Sequence, residues 1–327
     1  MSKLSRHRRH TAYWDNIPGL FDHPALQDTS GEEGTDELPA LDEHTLARPE
    51  KLRFMSFGSG SSGNCSYIGT AECGVLIDAG VDLSLVGKAL AENAINPQSI
   101  QGILLTHDHG DHVRYAYGLL RRYRHFRLFA TPKTLGGILR RHNISRRISD
   151  YHQPIYKEFP FKAGSLTITA YETSHDGTDN VGFYIEGANT SFAITTDTGV
   201  ITERADHYMR LARHLVLESN YDAEMLRKGS YPQYLKARII SERGHLDNEV
   251  AADYLRRIFR PELATVLLCH LSEENNLPEL ALECSLKALT EAGARIAELT
   301  ASAEERAGRT VLATLPRKEA SALLILD

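Results

Sequence analysis

The side chains best suited to metal chemistry lie in one short run, residues 106–112, with the sequence THDHGDH. His107 and His109 are two residues apart, so on an extended backbone they project to the same side. The glycine that follows allows the chain to turn, and the turn directs Asp111 and His112 toward the same point. Imidazole nitrogens together with a carboxylate oxygen suit Zn²⁺, Mn²⁺ or Fe²⁺. The run therefore predicts a metal site, the alternative being a surface loop that binds nothing.

Three further residues of ligand type, His175, Asp197 and His270, each follow a strand-like run. Because scaffolds commonly present reactive groups just beyond buried strands, we expect them to meet residues 106–112 in space. Together with the ligand-type residues of the run 106–112, they supply three histidines and a carboxylate for one metal ion, and two histidines with carboxylates for a second. Asp78, at the end of another apolar run, is expected to orient a ligand histidine through a hydrogen bond.

The elements that must position these residues predict an α/β fold with mixed sheets. Short apolar or alternating runs predict strands, and amphipathic stretches predict helices. The predicted strands are 53–57, 66–69, 74–78, 101–106, 126–130, 165–171, 181–186, 191–196, 214–218, 264–269, 310–315 and 321–326. The predicted helices are 82–94, 113–124, 132–142, 201–212, 247–259 and 278–292. Thr131 is the expected cap of the third helix, whose first position is a proline.

The composition indicates a cytoplasmic protein. The chain has 327 residues, a formal net charge of −6 and four cysteines. No stretch approaches the roughly 18 apolar residues of a membrane-spanning helix, and the basic N-terminus lacks the apolar part of a secretory signal. The cysteines show no CxxC pairing, which fits reduced thiols. The acidic balance, taken alone, argues mildly against a nucleic-acid binder.

We expect residues 1–50 to form an acidic extension that precedes one folded domain at 51–327. From residue 14 to residue 50 there are ten acidic side chains and one basic side chain, with little periodicity. That composition predicts a flexible, solvated tail. A tail without function is one interpretation; a tail that covers a basic surface and competes with substrate is the other.

A basic segment directly follows the metal-ligand run. Residues 113–149 contain ten Lys or Arg side chains and no Asp or Glu. A local field of this size beside a metal site matters more to an anionic substrate than the net charge does. A phosphate-binding role and an ordinary solvated helix face both remain open.

The pattern HxHxDH followed by separated His, Asp and His resembles the metallo-β-lactamase superfamily over about residues 52–327. The resemblance implies an αββα four-layer sandwich with two mixed sheets and the site at one sheet edge. It also implies a dinuclear centre with a hydroxide between two divalent ions, Zn²⁺ or Mn²⁺. The implied ligands are His107, His109 and His175 for one ion, Asp111, His112 and His270 for the second, and Asp197 as the bridge.

Narrower features resemble the YycJ/WalJ group, which is related to tRNase Z and the β-CASP nucleases. They are the glycine-rich segment 57–64 and the segments 218–220, 244–248 and 270–276. The group implies a 5′→3′ exonuclease with a nucleic acid substrate, DNA favoured over RNA. No protein partner can be inferred from the resemblance. The acidic extension departs from the usual pattern, and so does Asp247, which stands where a serine is expected.

The same resemblance assigns catalytic roles. Asp111 is expected to orient the hydroxide as well as bind metal. His245, paired with Glu218, is the candidate for protonating the leaving oxygen, although His245 could instead only cap the helix that begins near Asp247. The glycine-rich turn could hold a phosphate through its amides or be a plain tight turn. The candidate phosphate-binding residues are Ser61, Ser62, Asn64, Ser272 and Asn275.

Two other functions use the same residues. A non-nucleolytic hydrolase, such as a lactonase, thioesterase or β-lactamase-like amidase, would need the same metal site, because fold does not set substrate. A degenerate module that binds without chemistry would be favoured if ligands were missing, and none is. The residues alone leave the native metal and the choice between DNA and RNA open.

Overall fold

The computed structural model describes residues 50–327. The predicted acidic extension therefore lies outside the described residues, except for its last residue, Glu50. The boundary between extension and hydrolase domain stays a prediction.

Two β-sheets form the centre of the fold. The seven strands of the first sheet are, in spatial order, β15 (Leu324–Leu326), β1 (Leu52–Gly58), β2 (Cys65–Gly69), β3 (Gly74–Ile77), β4 (Ile100–Leu104), β5 (Arg127–Ala130) and β6 (His152–Pro154). The eight strands of the second are β13 (Ile296–Ala297), β14 (Thr310–Thr314), β12 (Thr265–Cys269), β11 (His214–Glu218), β10 (Thr190–Thr195), β9 (Val181–Gly187), β8 (Leu166–Glu172) and β7 (Phe161–Ala163). Both sheets contain parallel and antiparallel pairs.

Ten α-helices accompany the sheets in the described part of the chain. They are α1 (Leu83–Glu92), α2 (Gly110–Val113), α3 (Ala116–Arg122), α4 (Pro132–Arg141), α5 (Glu203–Leu211), α6 (Ala223–Lys228), α7 (Gln233–Ile240), α8 (Asn248–Ile258), α9 (Pro278–Glu291) and α10 (Ala303–Arg306). The Thr131 side chain accepts a hydrogen bond from Thr134 N at the start of α4, as predicted. No helix within residues 50–327 is long and apolar enough to cross a membrane.

Three apolar cores produce four layers. One core lies between the sheets, one packs α1, α3 and α4 on the first sheet, and one packs α5, α8 and α9 on the second. Successive strand residues alternate between cores: Phe54 faces the central core and Met55 the first helical layer. Both faces of each sheet are covered, which explains why central strands such as β3 and β12 are nearly continuous apolar runs. The predicted αββα architecture is confirmed.

The predicted helix 113–124 is interrupted. Tyr115 N donates to Ala79 O, at 2.8 Å, so this amide bonds to the chain beyond β3 instead of to the preceding helical turn. The chain accordingly divides into α2, which carries two of the candidate ligands, and α3.

Candidate metal centre

The run 106–112 leaves the end of β4 and enters α2. His109 is extended, with φ −75° and ψ 152°, and α2 begins at Gly110. The turn toward Asp111 and His112 is thus made by the first turn of a helix. The expectation that Gly110 supplies it through a special backbone geometry is wrong, because Gly110 is the first helical residue and does not have a positive φ.

One group of ligand atoms comes from His107, His109 and His175. His175 Nε2 lies 3.2 Å from His109 Nδ1. His107 and His175 are buried, and His109 is partly exposed. His107 Nε2 is buried and has no hydrogen-bond partner within the described residues. The three rings therefore direct one nitrogen each toward a common point.

A second group comes from Asp111, His112 and His270. Asp111 Oδ2 lies 3.6 Å from His112 Nε2 and 3.7 Å from His270 Nε2. His270 Nε2 is buried and likewise lacks a hydrogen-bond partner in the part of the chain described. Two histidines and one carboxylate thus converge on a second point.

Asp197 lies between the two groups. Its Oδ2 is 3.8 Å from His107 Nε2 and 3.5 Å from His175 Nε2. Its Oδ1 is 3.4 Å from His112 Nε2. One carboxylate oxygen therefore faces each group, which is the arrangement a bridging ligand requires.

These atoms fit divalent metal ions. Two ligands at about 2.1 Å from one tetrahedral ion are about 3.4 Å apart, close to the separations observed. The buried nitrogens of His107 and His270 that lack hydrogen-bond partners support the same conclusion, because buried polar atoms normally have partners. Imidazole and carboxylate ligands suit Zn²⁺ and Mn²⁺ alike.

In each of the five candidate ligand histidines, the ring nitrogen that faces away from the metal site contacts an oxygen atom of a neighbouring residue. Such contacts fix the tautomer and the ring orientation of a metal ligand. The partners are Thr106 Oγ1 for His107 (3.0 Å), Asp176 Oδ1 for His109 (3.2 Å), Asp78 Oδ2 for His112 (2.7 Å), Gly244 O for His175 (2.8 Å) and Glu218 Oε1 for His270 (2.8 Å). Asp78 thus lies where the sequence predicted an orienting carboxylate.

The electrostatic field of the centre favours positive charge. Burial opposes protonation of His112, but Asp197 and Asp78 outweigh it and raise its pKa well above the usual range. For His270, burial is outweighed chiefly by Asp197, and the pKa rises to about 10. In His107, burial dominates and lowers the pKa. Buried carboxylates that stabilise imidazolium stabilise a divalent cation by the same Coulombic attraction.

Glu218 connects the centre to His245. Its Oε1 accepts hydrogen bonds from His245 Nδ1 at 2.7 Å and from His270 Nδ1 at 2.8 Å. Its Oε2 accepts from Thr198 N and Leu246 N at 2.8 and 3.2 Å. The interpretation that His245 only caps α8 is wrong, because the Asp247 side chain accepts from the first amides of that helix.

Asp176 and Arg238 belong to the site and were not predicted. Asp176 Oδ1 lies 3.2 Å from His109 Nε2, and the Asp176 carboxylate accepts two hydrogen bonds from Arg238, at 2.6 and 3.1 Å. Asp176 directly follows the predicted ligand His175 in the sequence, and this position is the signal that could have identified it. Arg238 lies on α7, for which the sequence showed no clear pattern.

The glycine-rich turn contributes Asn64 to the site. Asn64 Nδ2 lies 3.0 Å from His112 Nε2 and 3.4 Å from Asp111 Oδ2. Ser59, which was not predicted, accepts a hydrogen bond from His270 N at 2.9 Å.

The other candidate phosphate-binding residues are Ser61, Ser62, Ser272 and Asn275. Ser61 and Ser62 are exposed. Ser272 Oγ accepts from Asn275 N, and Asn275 is buried beside Gly229. Among described residues, these four side chains make no hydrogen bond to a candidate ligand, so their roles stay predictions.

The basic side chains of residues 113–149, which we call the basic surface, face solvent. All ten Lys and Arg side chains of residues 113–149 are exposed. Within residues 50–327, Arg141 alone among them forms an ion pair, with Asp108 at 3.4 Å. Nine cations are therefore left without a carboxylate partner in the described structure.

Comparisons with known proteins agree with this geometry. A family model described as the β-lactamase superfamily domain matches residues 74–270. Exodeoxyribonuclease YycJ from Bacillus anthracis is 34% identical over 248 residues, which are 76% of this chain and 92% of that protein. Exodeoxyribonuclease WalJ from Streptococcus pneumoniae is 33% identical over 231 residues, 70% of this chain and 85% of that protein. The metallo-β-lactamase fold protein YhfI from Bacillus subtilis shares the fold, with a TM-score of 0.58 and 14% identity over 84% of this chain and 100% of that chain.

Proposed function

The chain belongs to the metallo-β-lactamase superfamily, and we propose that it is a two-metal phosphodiesterase that degrades DNA as a 5′→3′ exonuclease. It is a metal-dependent hydrolase, as the family and the exodeoxyribonuclease relatives establish. The observation that carries the two-metal proposal is Asp197, whose two oxygens face separate groups of ligand atoms. The choice of DNA and the exonucleolytic mode rest on the relatives' activities.

In this proposal His107, His109 and His175 bind one ion, and Asp111, His112 and His270 bind the other. Asp197 binds both. Bound ions of this kind lower the pKa of water toward neutrality and neutralise charge on a phosphoryl oxygen. Zn²⁺ and Mn²⁺ are the candidates, because both accept imidazole and carboxylate ligands.

Glu218 and His245 serve the leaving group. With Nδ1 donating to the buried Glu218 carboxylate, His245 keeps Nε2 available to protonate the departing oxygen. The His245 side chain is 18% exposed, so a substrate can reach it. Asp111 is partly exposed and can accept a hydrogen bond from the attacking water while it binds metal.

The substrate binds against the basic surface of residues 113–149. A polyanion crossing this surface gains from nine cations without carboxylate partners, and the gain falls with salt. This surface favours nucleic acid over a small neutral ester. The four cysteines are all free, which supports a cytoplasmic location.

Digestion of end-labelled DNA and RNA by Mn²⁺- or Zn²⁺-loaded protein tests the proposal. We expect progressive release of mononucleotides from the 5′ end of DNA. A variant carrying His107→Ala and Asp111→Ala should release none, which controls for contaminating nucleases. If fully metallated protein cleaves no nucleic acid but hydrolyses lactones or thioesters, the nuclease proposal is wrong.

A further inference from the structure

Helix α7 presents one strongly exposed aromatic ring. Tyr234 is 76% exposed, more than any other large hydrophobic side chain within residues 50–327. The helix is held from its other side, where the buried Lys236 donates two hydrogen bonds of 2.8 Å, to Arg227 O and Gly229 O. The backbone that carries Tyr234 is therefore anchored, while the ring itself lies in solvent.

Tyr234 shares its face of α7 with Arg238. Side chains four residues apart on a helix are neighbours, with about 5–6 Å between their Cβ atoms. Ala237, three positions after Tyr234, is also exposed on this face, and its side chain is a single methyl group. No bulky side chain of α7 therefore stands between the tyrosine ring and the guanidinium.

This face of α7 is connected to the metal centre through accessible side chains. Arg238 donates to Asp176, at 2.6 and 3.1 Å, and Asp176 Oδ1 lies 3.2 Å from the candidate ligand His109. The exposed fraction of the side chain is 22% for His109, 29% for Asp176 and 55% for Arg238. Exposure thus rises outward from the ligands to Tyr234, so each step of this path can be reached from solvent.

The C-terminal end of α7 contacts the proposed proton donor. His245 N donates to Ile239 O at 2.9 Å, so this end of the helix lies against the residue that serves the leaving oxygen. Tyr234 precedes Ile239 by five residues, which is a rise of about 7.5 Å along the helix axis. The helix also contains two cationic side chains and no acidic one, which suits a phosphate-bearing ligand. A nucleotide whose phosphate lies at the metal ligands can therefore place its base along α7.

We propose that Tyr234 stacks on the nucleobase of the departing 5′-terminal nucleotide. The inference rests on the proposed nuclease function, and it adds a substrate-positioning residue on the leaving-group side. An aromatic ring binds bases of any sequence, because every base has a π face, and one such contact contributes about tenfold to binding. Arg238 supports the same nucleotide, because its Nε and Nη2 donate to Asp176 while Nη1 makes no hydrogen bond within the described residues.

Abasic substrates test this contact. DNA whose 5′-terminal nucleotide lacks its base is compared with intact DNA, and the release of that first nucleotide is measured. With unmodified protein, we expect loss of the base to lower kcat/KM about tenfold, mainly through KM. With Tyr234→Ala, intact DNA should show a similar loss, and removal of the base should add no more than about twofold. Tyr234→Phe keeps the ring and should behave as the unmodified protein does.

Leu211→Ala is the matched control for loss of an exposed hydrophobic side chain. Leu211 is 51% exposed, and its backbone oxygen accepts from Ser191 near the start of β10, the strand that has Asp197 beyond its other end. It therefore lies a strand length from the metal centre, and it is not part of the basic surface. We expect the base to contribute as much in this variant as in the unmodified protein. A base contribution that Tyr234→Ala leaves undiminished would overturn the assignment.

Calorimetry supplies a second arm that needs no nuclease activity. Binding of deoxyadenosine 5′-monophosphate to the metal-loaded protein is compared with binding of 2-deoxyribose 5-phosphate, which lacks the base. We expect the base to strengthen binding about tenfold in the unmodified protein and in Leu211→Ala, and no more than about twofold in Tyr234→Ala.

The two arms separate failure of the stacking site from failure of the proposed function. If the unmodified protein cleaves no nucleic acid, the proposed function fails, and the calorimetric comparison alone decides the stacking site. Equal binding of the two compounds by the unmodified protein would then refute it. If Tyr234→Ala instead changes the oligomeric state in light scattering and leaves both comparisons unaltered, this face of α7 contacts a second copy of the chain and the assignment is wrong.

Discussion

Glu218 Oε1 lies 2.7 Å from His245 Nδ1, and Glu218 is completely buried. The carboxylate is itself held by two backbone amides, so it cannot follow the imidazole if the ring moves. The pair therefore fixes which nitrogen of His245 faces the substrate. Because His270 donates to the same oxygen, the proposed proton donor and a proposed metal ligand are held by one carboxylate.

Replacing His245 with alanine should lower kcat by about 10²- to 10⁴-fold, the usual contribution of a positioned general acid. Metal content, measured by elemental analysis of the purified protein, should stay at the unmodified level. His207→Ala, which removes an exposed histidine on α5, is the matched control. Loss of metal from His245→Ala would assign this residue to the ligand set and remove it from proton transfer.

Replacing Asp176 with asparagine should weaken metal binding by about 10- to 100-fold, because a ligand histidine loses its orienting carboxylate. Competition with a chromophoric chelator measures the affinity of each ion in turn. We expect the loss to fall on one ion, the one held by His109. Asp253→Asn, an exposed carboxylate on α8, should change neither affinity. Unaltered chelator competition in Asp176→Asn would show that the contact with His109 has no influence on metal.

Folding stability should fall in mild acid because of His214. Burial lowers the pKa of this histidine from 6.5 to about 4, and its ring nitrogens lie 3.0 Å from the hydroxyls of Thr265 and Thr190. Between these pH values the unfolded chain binds the proton and the folded chain does not, so stability is complete above about pH 6.5 and is lost as the pH falls toward 4. The loss contributed by this group should reach about 2 kcal/mol at pH 5.

Urea unfolding at pH 7.5 and pH 5 measures this loss. His214→Gln keeps a polar side chain without the titration, so its stability should fall by about 2 kcal/mol less over the same interval. Equal acid sensitivity of the two proteins would exclude His214 as its source.

Removing residues 1–50 should strengthen substrate binding at low salt. The extension carries ten acidic side chains between residues 14 and 50, and the basic surface of residues 113–149 carries nine cations without partners in the described structure. An acidic segment competes with a polyanion for such a surface, and salt screens both interactions. We expect KM for DNA to fall several-fold at 50 mM salt and to match that of the full chain at high salt. Unchanged affinity at low salt would contradict competition.

Much of the fold and the candidate ligands were predictable because their signals are local. His270 follows the apolar run of β12, whereas His175 and Asp197 follow β8 and β10, which are recognisable from alternating or shorter apolar runs. The strands β6, β7 and β13 were missed because two or three residues show no periodicity. Arg238 was missed for another reason: its contact with Asp176 joins residues 62 positions apart, and α7 has no strong pattern of its own. Tertiary contacts of this kind leave no trace in sequence spacing.

Asp78, Asp197 and His270, all just beyond strand ends, have positive φ values of 62°, 45° and 54°. Residues with a Cβ occupy this region at a cost of about 1–2 kcal/mol each. Glycine would remove the cost together with the side chain on which the metal centre depends. The same substitutions would therefore relieve backbone strain and abolish the chemistry.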